Sequence, residues 1–398
     1  MTLFRSISLF FLSLAVLHPA LAASGTSEPT RFATFNIAMG LESEGELYTR
    51  LTSGQDEALK KVAAIIQQVR PDVLLLNEFD YYELDSAVLF IRNYLDIPQF
   101  GNESISYAHA FNGAVNTGWD SEMDLNSNGK MGEPEDAWGY GTFRGQYGMT
   151  VLSRFPITLE HSFRFFKWTD MPGALVPTQA DGSAWYPDSI YKELRLSSKN
   201  HWDLVISIGD QAVHFLVSHP TPPVFDGPED RNGKRNHDEI RFWADYIEPA
   251  RSTYIYDDRG AKSGLPETAQ FVIAGDLNAD PVDGDSSDGA VLQLLRHPLV
   301  NADCVPVSKG AEEASRIQAG KNLQHRGNPA ADTGDFNDQY TGNMRIDYVL
   351  PSANLDVTGC GVFWPASDQP GHDLVTVSDH RLVWLDVNLD SSPGRTEE

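Results

Sequence analysis

Short apolar runs in this sequence end repeatedly in an acidic or amide residue. The run at 73–76 leads into Asn77 and Glu78. The run at 271–274 leads across Gly275 to Asp276 and then Asn278, and Asp379 and His380 stand just ahead of an apolar stretch at 382–389. Any one of these is commonplace, because Asp and Asn also cap turns. The set points instead to strand ends on a rigid sheet, where side chains are held accurately enough for chemistry.

The rest of the pattern fits that frame. Residues 31–36 read as a first strand. Ser53-x-x-Asp56 is a capping-box pattern, and Leu59, Val62, Ala63, Ile66 and Val69 then recur at helical spacing up to Pro71. Another strand is expected at 149–152, and runs at 204–208 and 212–217 flank a Gly209-Asp210 turn as a hairpin would. Ile240, Trp243, Ala244 and Ile247 mark a second amphipathic helix, with a strand at 346–350 further on. Apolar strands with helices between them predict an α/β (α+β) fold of two packed sheets with helices outside, a four-layer α/β/β/α sandwich. The expected domain spans 28–389, and its segment 111–144, rich in Gly, Asn and acids, reads as a long inserted loop.

The termini bear on the compartment. Arg5, the apolar run 7–16 and Ala20-Leu21-Ala22 form a secretory leader over residues 1–22. The protein is therefore expected to be secreted or periplasmic. No segment is long and apolar enough to span a bilayer. The polar stretch 390–398 is expected to be disordered. In an oxidising compartment Cys304 and Cys360 are candidates for a disulfide, the alternative being two buried thiols. Net charge is −26, and loss of the leader with its one arginine leaves −27. Such a surface repels polyanions, and no Lys/Arg cluster tracks a nucleic-acid backbone. A small phosphoester is the favoured substrate and a monomer the expected state, with a secreted endonuclease as the alternative function.

Converging carboxylates need a counter-charge. At about 5 Å and an effective dielectric near 20, each pair repels by about 3 kcal/mol. Oxygen ligands at Asn36, Glu78 and Asp379 favour a hard cation, Mg²⁺ or Mn²⁺. The spacing offers no H-x-x-x-H pair for zinc.

Thr34-Phe35-Asn36, Leu76-Asn77-Glu78, Gly148-Met149-Thr150-Val151-Leu152-Ser153-Arg154-Phe155-Pro156, Ser218-His219, Gly275-Asp276-Leu277-Asn278, Arg345-Ile346-Asp347-Tyr348 and Ser378-Asp379-His380 occur in that order. Together they resemble the endonuclease/exonuclease/phosphatase superfamily over roughly residues 31–389. The resemblance implies a metal-dependent phosphoester hydrolase. In it Glu78 is the main metal carboxylate, helped by Asn36 and Asp379. Asp276 would orient or deprotonate water, and Asn278 would donate to the phosphate. His380, paired with Asp347, would contact the phosphate as an imidazolium. His219 matches a second histidine of some branches, although Pro220 after it departs from the commoner leucine.

Three further features stand apart. Asp124, Asn126, Asn128, Lys130 and Glu135 sit at positions 1, 3, 5, 7 and 12 of a calcium-loop pattern with Gly129 at its turn, a candidate structural Ca²⁺ site without EF-hand flanks. Arg231 and Arg235 are candidate substrate phosphate contacts. Phe163, Phe165, Phe166 and Trp168 form an aromatic cluster, read as core packing ahead of membrane docking. His109, His161, His201, His237 and His325 have no comparable setting.

Overall fold

The computed structural model describes residues 28–81 and 85–389. The expected leader and polar tail lie outside the described residues. The strands are β1 (Thr30–Met39), β2 (Val73–Phe79), β3 (His109–Asn112), β4 (Met149–Ser153) and β5 (Ile157–Ser162). They continue as β6 (His201–Ile208), β7 (Gln211–Ser218), β8 (Gln270–Asp276) and a small hairpin, β9 (Gly334–Asp335) with β10 (Asn343–Met344). The last are β11 (Asp347–Pro351), β12 (Asp356–Val362) and β13 (Val383–Asn388).

One sheet has the order β12-β13-β1-β2-β4-β3 and the other β11-β8-β7-β6-β5. Each is mixed, with a single parallel pair: β1 with β2, and β7 with β8. Alternation along the strands sorts residues into layers. Phe32, Val73, Leu75, Phe215, Val272 and Leu385 face the partner sheet in one core. Ala33, Phe35, Leu74 and Leu76 face the other way, against Leu59, Val62 and Ile66 of helix Glu57–Val69. On the far side Leu216, Phe271 and Ile273 pack against Ile240, Phe242 and Trp243 of helix Arg231–Tyr246. The result is the four-layer sandwich expected from the sequence.

Local details differ. Ser53 is not a cap: it closes a separate helix, Glu46–Ser53, and Asp56 caps the next by accepting a hydrogen bond from Leu59 N–H. The hairpin at Gly209-Asp210 and the strands around it form as expected. The insertion begins later than the composition suggests, because Phe111 and Asn112 belong to β3 and pair with β4. Cys304 and Cys360 are joined by a disulfide across a sequence separation of 56. A closed loop of that size is worth about 4 kcal/mol in the chain-entropy model. Of the aromatic cluster, Phe163, Phe166 and Trp168 are core residues and Phe165 is exposed. Among the described residues no helix is long and apolar enough to cross a membrane.

His201 lies in this aromatic core, with one ring nitrogen 2.8 Å from the Ser197 hydroxyl and the other 2.9 Å from the Glu239 carbonyl. Burial pushes its pKa down to about 4. The unfolded chain takes up this proton near pH 6.5, so stability is flat above that value and falls as pH drops toward 4. The wild type should lose about 3 kcal/mol over this window that His201→Gln does not lose, read from denaturation midpoints at pH 7 and 4.

Candidate active site

The same alternation that builds the core also builds the site. Phe32 faces the opposite sheet, so Thr34 and Asn36 share its face, and Val73 and Leu75 place Asn77 likewise. On the second sheet Val217 leads to His219, Ala274 to Asp276, and Val349 shares a face with Asp347. The two inner faces thus run out of apolar residues at one end of the sandwich. Thr34 Oγ donates to Asn77 Oδ1 at 3.1 Å, and Asn77 Oδ1 also accepts from Asp276 N–H at 3.3 Å, which ties the sheets together there.

Asp276 is the centre. Its Oδ2 lies 3.1 Å from Asn36 Nδ2, 3.3 Å from His219 Nε2 and 3.6 Å from His380 Nε2, and its Oδ1 accepts from Asn278 N–H at 2.9 Å. Burial alone would raise its pKa. The charge of His380 and the contacts of His219 and Asn36 outweigh burial and hold it well below the usual carboxylate range. Burial would likewise lower His380, but Asp347 and Asp276 outweigh it and raise the imidazole well above its ordinary value. His380 Nδ1 meets Asp347 Oδ2 at 3.0 Å. His219 behaves oppositely: burial, reinforced by the positive charge of Lys199, pushes it down and leaves it neutral at pH 7.

A second set of bonds fixes this arrangement. Asp347 pairs with Asp276 across β11 and β8. Thr333 Oγ donates to Asp347 Oδ2 at 2.8 Å and accepts from the Ile346 and Asp347 N–H groups. Ser378 Oγ donates to Asn36 O and accepts from His380 N–H.

Glu78 follows the inward-facing Asn77, so regular alternation would turn it toward the outer helices. Instead its φ is 53°, opposite a register irregularity between Asn36 and Met39 of β1. Its half-buried side chain lines a cavity of about 1180 Å³ together with Lys199, His219, Asp276, Asn278, Asp379 and His380. Asp379 Oδ1 is 4.0 Å from His380 Nε2. The eight residues singled out for the catalytic centre therefore meet at one place. No hydrogen bond from the described residues reaches the Glu78 carboxylate.

This donor set suits a hard cation. Asp276, Asp347 and His380 bring ligand atoms within 4.8 Å of one another. An imidazolium between two carboxylates has no free lone pair for a metal, however, so that trio is better read as an ion-paired cluster. Glu78 and Asp379, facing the cavity, are oxygen donors left over, while Asn36 Oδ1 accepts from Ala38 N–H at 3.1 Å.

Lys199 was missed by sequence reasoning. Only 7% exposed, its ammonium meets no acceptor among the described residues. Burial lowers its pKa against the opposing charges of Glu239, Glu78 and Asp276. Its neighbours are clamped by Glu239, which accepts from Ser198 N–H and Thr221 N–H at 2.6 Å each. A lone lysine in Ser197-Ser198-Lys199-Asn200 carries no pattern that would have marked it.

The remaining candidates sit elsewhere on the wall. Asp124 accepts from Asn128 and Gly129 N–H, Asn126 from Asn128 N–H, and Asn128 from Lys130 N–H. Glu133, and not Glu135, pairs with Asn128 Nδ2 and Lys130 Nζ. Asn126 and Glu135 reach the cavity. Arg235 also lines it, but donates to the carbonyls of Leu196, Trp138 and Arg195. Arg231 pairs with Glu229 and donates to Phe225 O.

Two mixed sheets packed face to face, with an acidic and histidine-bearing cluster where their inner faces end, define a hydrolase-like α/β sandwich. The chain belongs to the Endonuclease/Exonuclease/phosphatase family, whose model matches residues 33–380. No functionally curated protein matches the sequence. Among solved structures it is similar to an endonuclease/exonuclease/phosphatase from Beutenbergia cavernae, at 18% identity and TM-score 0.47, covering 91% of this chain and 72% of that one. It is also similar to sphingomyelinase C from Streptomyces griseocarneus (16% identity, TM-score 0.44, 90% and 99% covered). A Staphylococcus aureus beta toxin with bound magnesium ions is a third (13%, 0.45, 90% and 99%).

Thr333 offers a test of the supporting bonds. Thr333→Val strips the shared hydroxyl from Asp347 and two buried N–H groups. It should cost about 1–3 kcal/mol in chemical denaturation. An unchanged midpoint would show that the hydroxyl is dispensable.

Proposed function

We propose that this chain is an exported, divalent-metal-dependent phosphoesterase that hydrolyses small phosphoesters. The observation that carries this reading is the ionised Asp276, bonded to Asn36, His219 and His380, beside a Glu78 carboxylate that no donor among the described residues satisfies. Glu78, with Asn36 and Asp379, would hold Mg²⁺ or Mn²⁺. When bound, that ion polarises a phosphoryl oxygen and offsets charge that develops on it.

The chain's own groups divide the remaining work. General bases act best with a pKa near the working pH. Asp276 is held too acidic for that, so its role is to orient the attacking water by accepting a hydrogen bond. His380, kept protonated by Asp347, and Lys199 face the cavity as two N–H donors for non-bridging phosphate oxygens. Asn278 donates its side-chain N–H to Pro220 O at 3.2 Å and has a second amide hydrogen to offer the substrate. Arg231 and Arg235, engaged with protein acceptors, add positive potential to the wall. The 124–135 loop would hold a structural Ca²⁺ through Asp124, Asn126, Asn128, the Lys130 carbonyl and Glu135. The leader, and a disulfide suited to an oxidising compartment, support export.

The test offers purified protein a generic monoester, a generic diester, plasmid DNA and sphingomyelin, each with Mg²⁺, Mn²⁺ or Ca²⁺. Turnover of a small ester should require the metal and disappear with chelator. Glu78→Gln and His380→Ala should each lower kcat at least about a hundredfold with the fold intact by circular dichroism. Wild-type turnover in either variant would show that the site is wrongly assigned.

A further inference from the structure

The cavity is larger than a phosphate needs. At about 1180 Å³ it exceeds the roughly 300–1,000 Å³ that encloses a drug-sized ligand. The phosphate-side residues, Glu78 to His380, account for part of its lining. Tyr140, Tyr186, Phe225 and Tyr340 line it as well, so a substrate that fills the cavity carries a second moiety that aromatic rings can hold.

Phe225 is the member of this set that packing explains least. It is 86% exposed, so its ring gains almost nothing from burial. Its φ is 64°, in the left-handed region that a bulky β-carbon disfavours. A side chain that is both strained and unburied is a cost to folding, and such outliers gather where function requires them. Three further left-handed residues, Glu78, Tyr147 and Asn278, line the same cavity.

The loop that presents Phe225 is built to stay in place. Val224 O accepts from Asn232 Nδ2 at 2.7 Å, Asp226 Oδ2 accepts from Asn232 N–H at 2.6 Å, and Phe225 O accepts from Arg231 Nη2 at 3.3 Å. Asn236, on the same helix, donates to the carbonyls of Thr221 and Leu277, which couples the loop to the segment carrying Asp276 and Asn278. The backbone at Phe225 is thus tied to the segment that carries Asp276 and Asn278.

We infer that Phe225 is the stacking platform for a nucleobase, and that the substrate is a short nucleoside phosphodiester. The inference rests on the phosphoesterase reading above and adds the identity of the group beyond the phosphate. A flat exposed ring on a cavity wall matches a base, because every base offers a π-face. A lipid surface is the weaker match, since the loop 220–230 carries no Lys or Arg, which membrane-binding surfaces favour. The acidic chain, at −26, disfavours a long polyanion and leaves a short one.

The experiment compares thymidine 5′-(4-nitrophenyl phosphate) with methyl 4-nitrophenyl phosphate in the presence of Mg²⁺. In both, water adds to phosphorus and the P–O bond to nitrophenol breaks, so that nitrophenolate leaves with the bonding pair. One proton of the water stays on the product phosphate and the other passes to solvent. Only the retained group differs. The ratio of kcat/KM values, thymidine over methyl, should fall at least about fivefold in Phe225→Ala and persist in Phe225→Trp. Phe225→Gly should lower the ratio while raising the thermal midpoint, because glycine adopts this φ without strain. A Phe225→Ala ratio within about twofold of wild type would overturn the inference, although turnover of both esters would leave the phosphoesterase reading standing. Wild type that cleaves neither ester would overturn both. An unmoved ratio with weakened binding to phosphatidylcholine vesicles would assign the ring to a membrane instead.

Discussion

One buried carboxylate holds the site together. Asp276 sits where the inner faces of two sheets run out of apolar residues, and its charge there is sustained by groups from distant parts of the chain. Asn36 comes from the end of β1, His219 from just past β7 and His380 from just before β13. An unpaired charge in that position would be costly, so these contacts must form together as the two sheets pack. The fold and the chemistry therefore share one requirement. The Thr34–Asn77–Asp276 bonds and the Thr333 and Ser378 hydroxyls extend it to the strands behind.

Opposed charge states follow from this geometry. His380 and His219 both approach the same oxygen, yet one is held protonated between two carboxylates while the other, buried beside Lys199, stays neutral. Two imidazoles thus differ in charge because of their second neighbours. His380 supplies positive charge on the cavity with the buried Lys199 amine beside it, and Glu78 and Asp379 are carboxylates whose charge a divalent ion would balance.

Much of this was legible in the sequence, because Asp276 and Asp379 stand where apolar runs end, and the family resemblance marked Asp347. The structure adds the reason: strand residues alternate, so a polar residue that ends an inward-facing apolar series points into the inter-sheet space, as Asn36, Asp276 and Asp347 do. What escaped depends on contacts that periodicity does not encode. Glu78 was named from the sequence, but not its route to the cavity through a left-handed backbone and a register irregularity. Lys199 is placed by Glu239, which lies 40 residues further along the chain. Phe225 lies in a proline-rich loop whose shape is set by side chains of the following helix. Ser53 and Asp56 show the limit at smaller scale, since either fits a cap and only packing decides. Arg231 and Arg235 line the cavity, but the sequence did not reveal their bonding partners.

The central claim is that oxygen donors around Glu78 form a site for a hard divalent cation. The direct measurement is calorimetric titration of metal-stripped protein with Mn²⁺, comparing wild type with Glu78→Gln. The account predicts a binding event in the wild type that weakens at least about tenfold in the variant, as loss of a first ligand requires. Superimposable isotherms for the two proteins would contradict it.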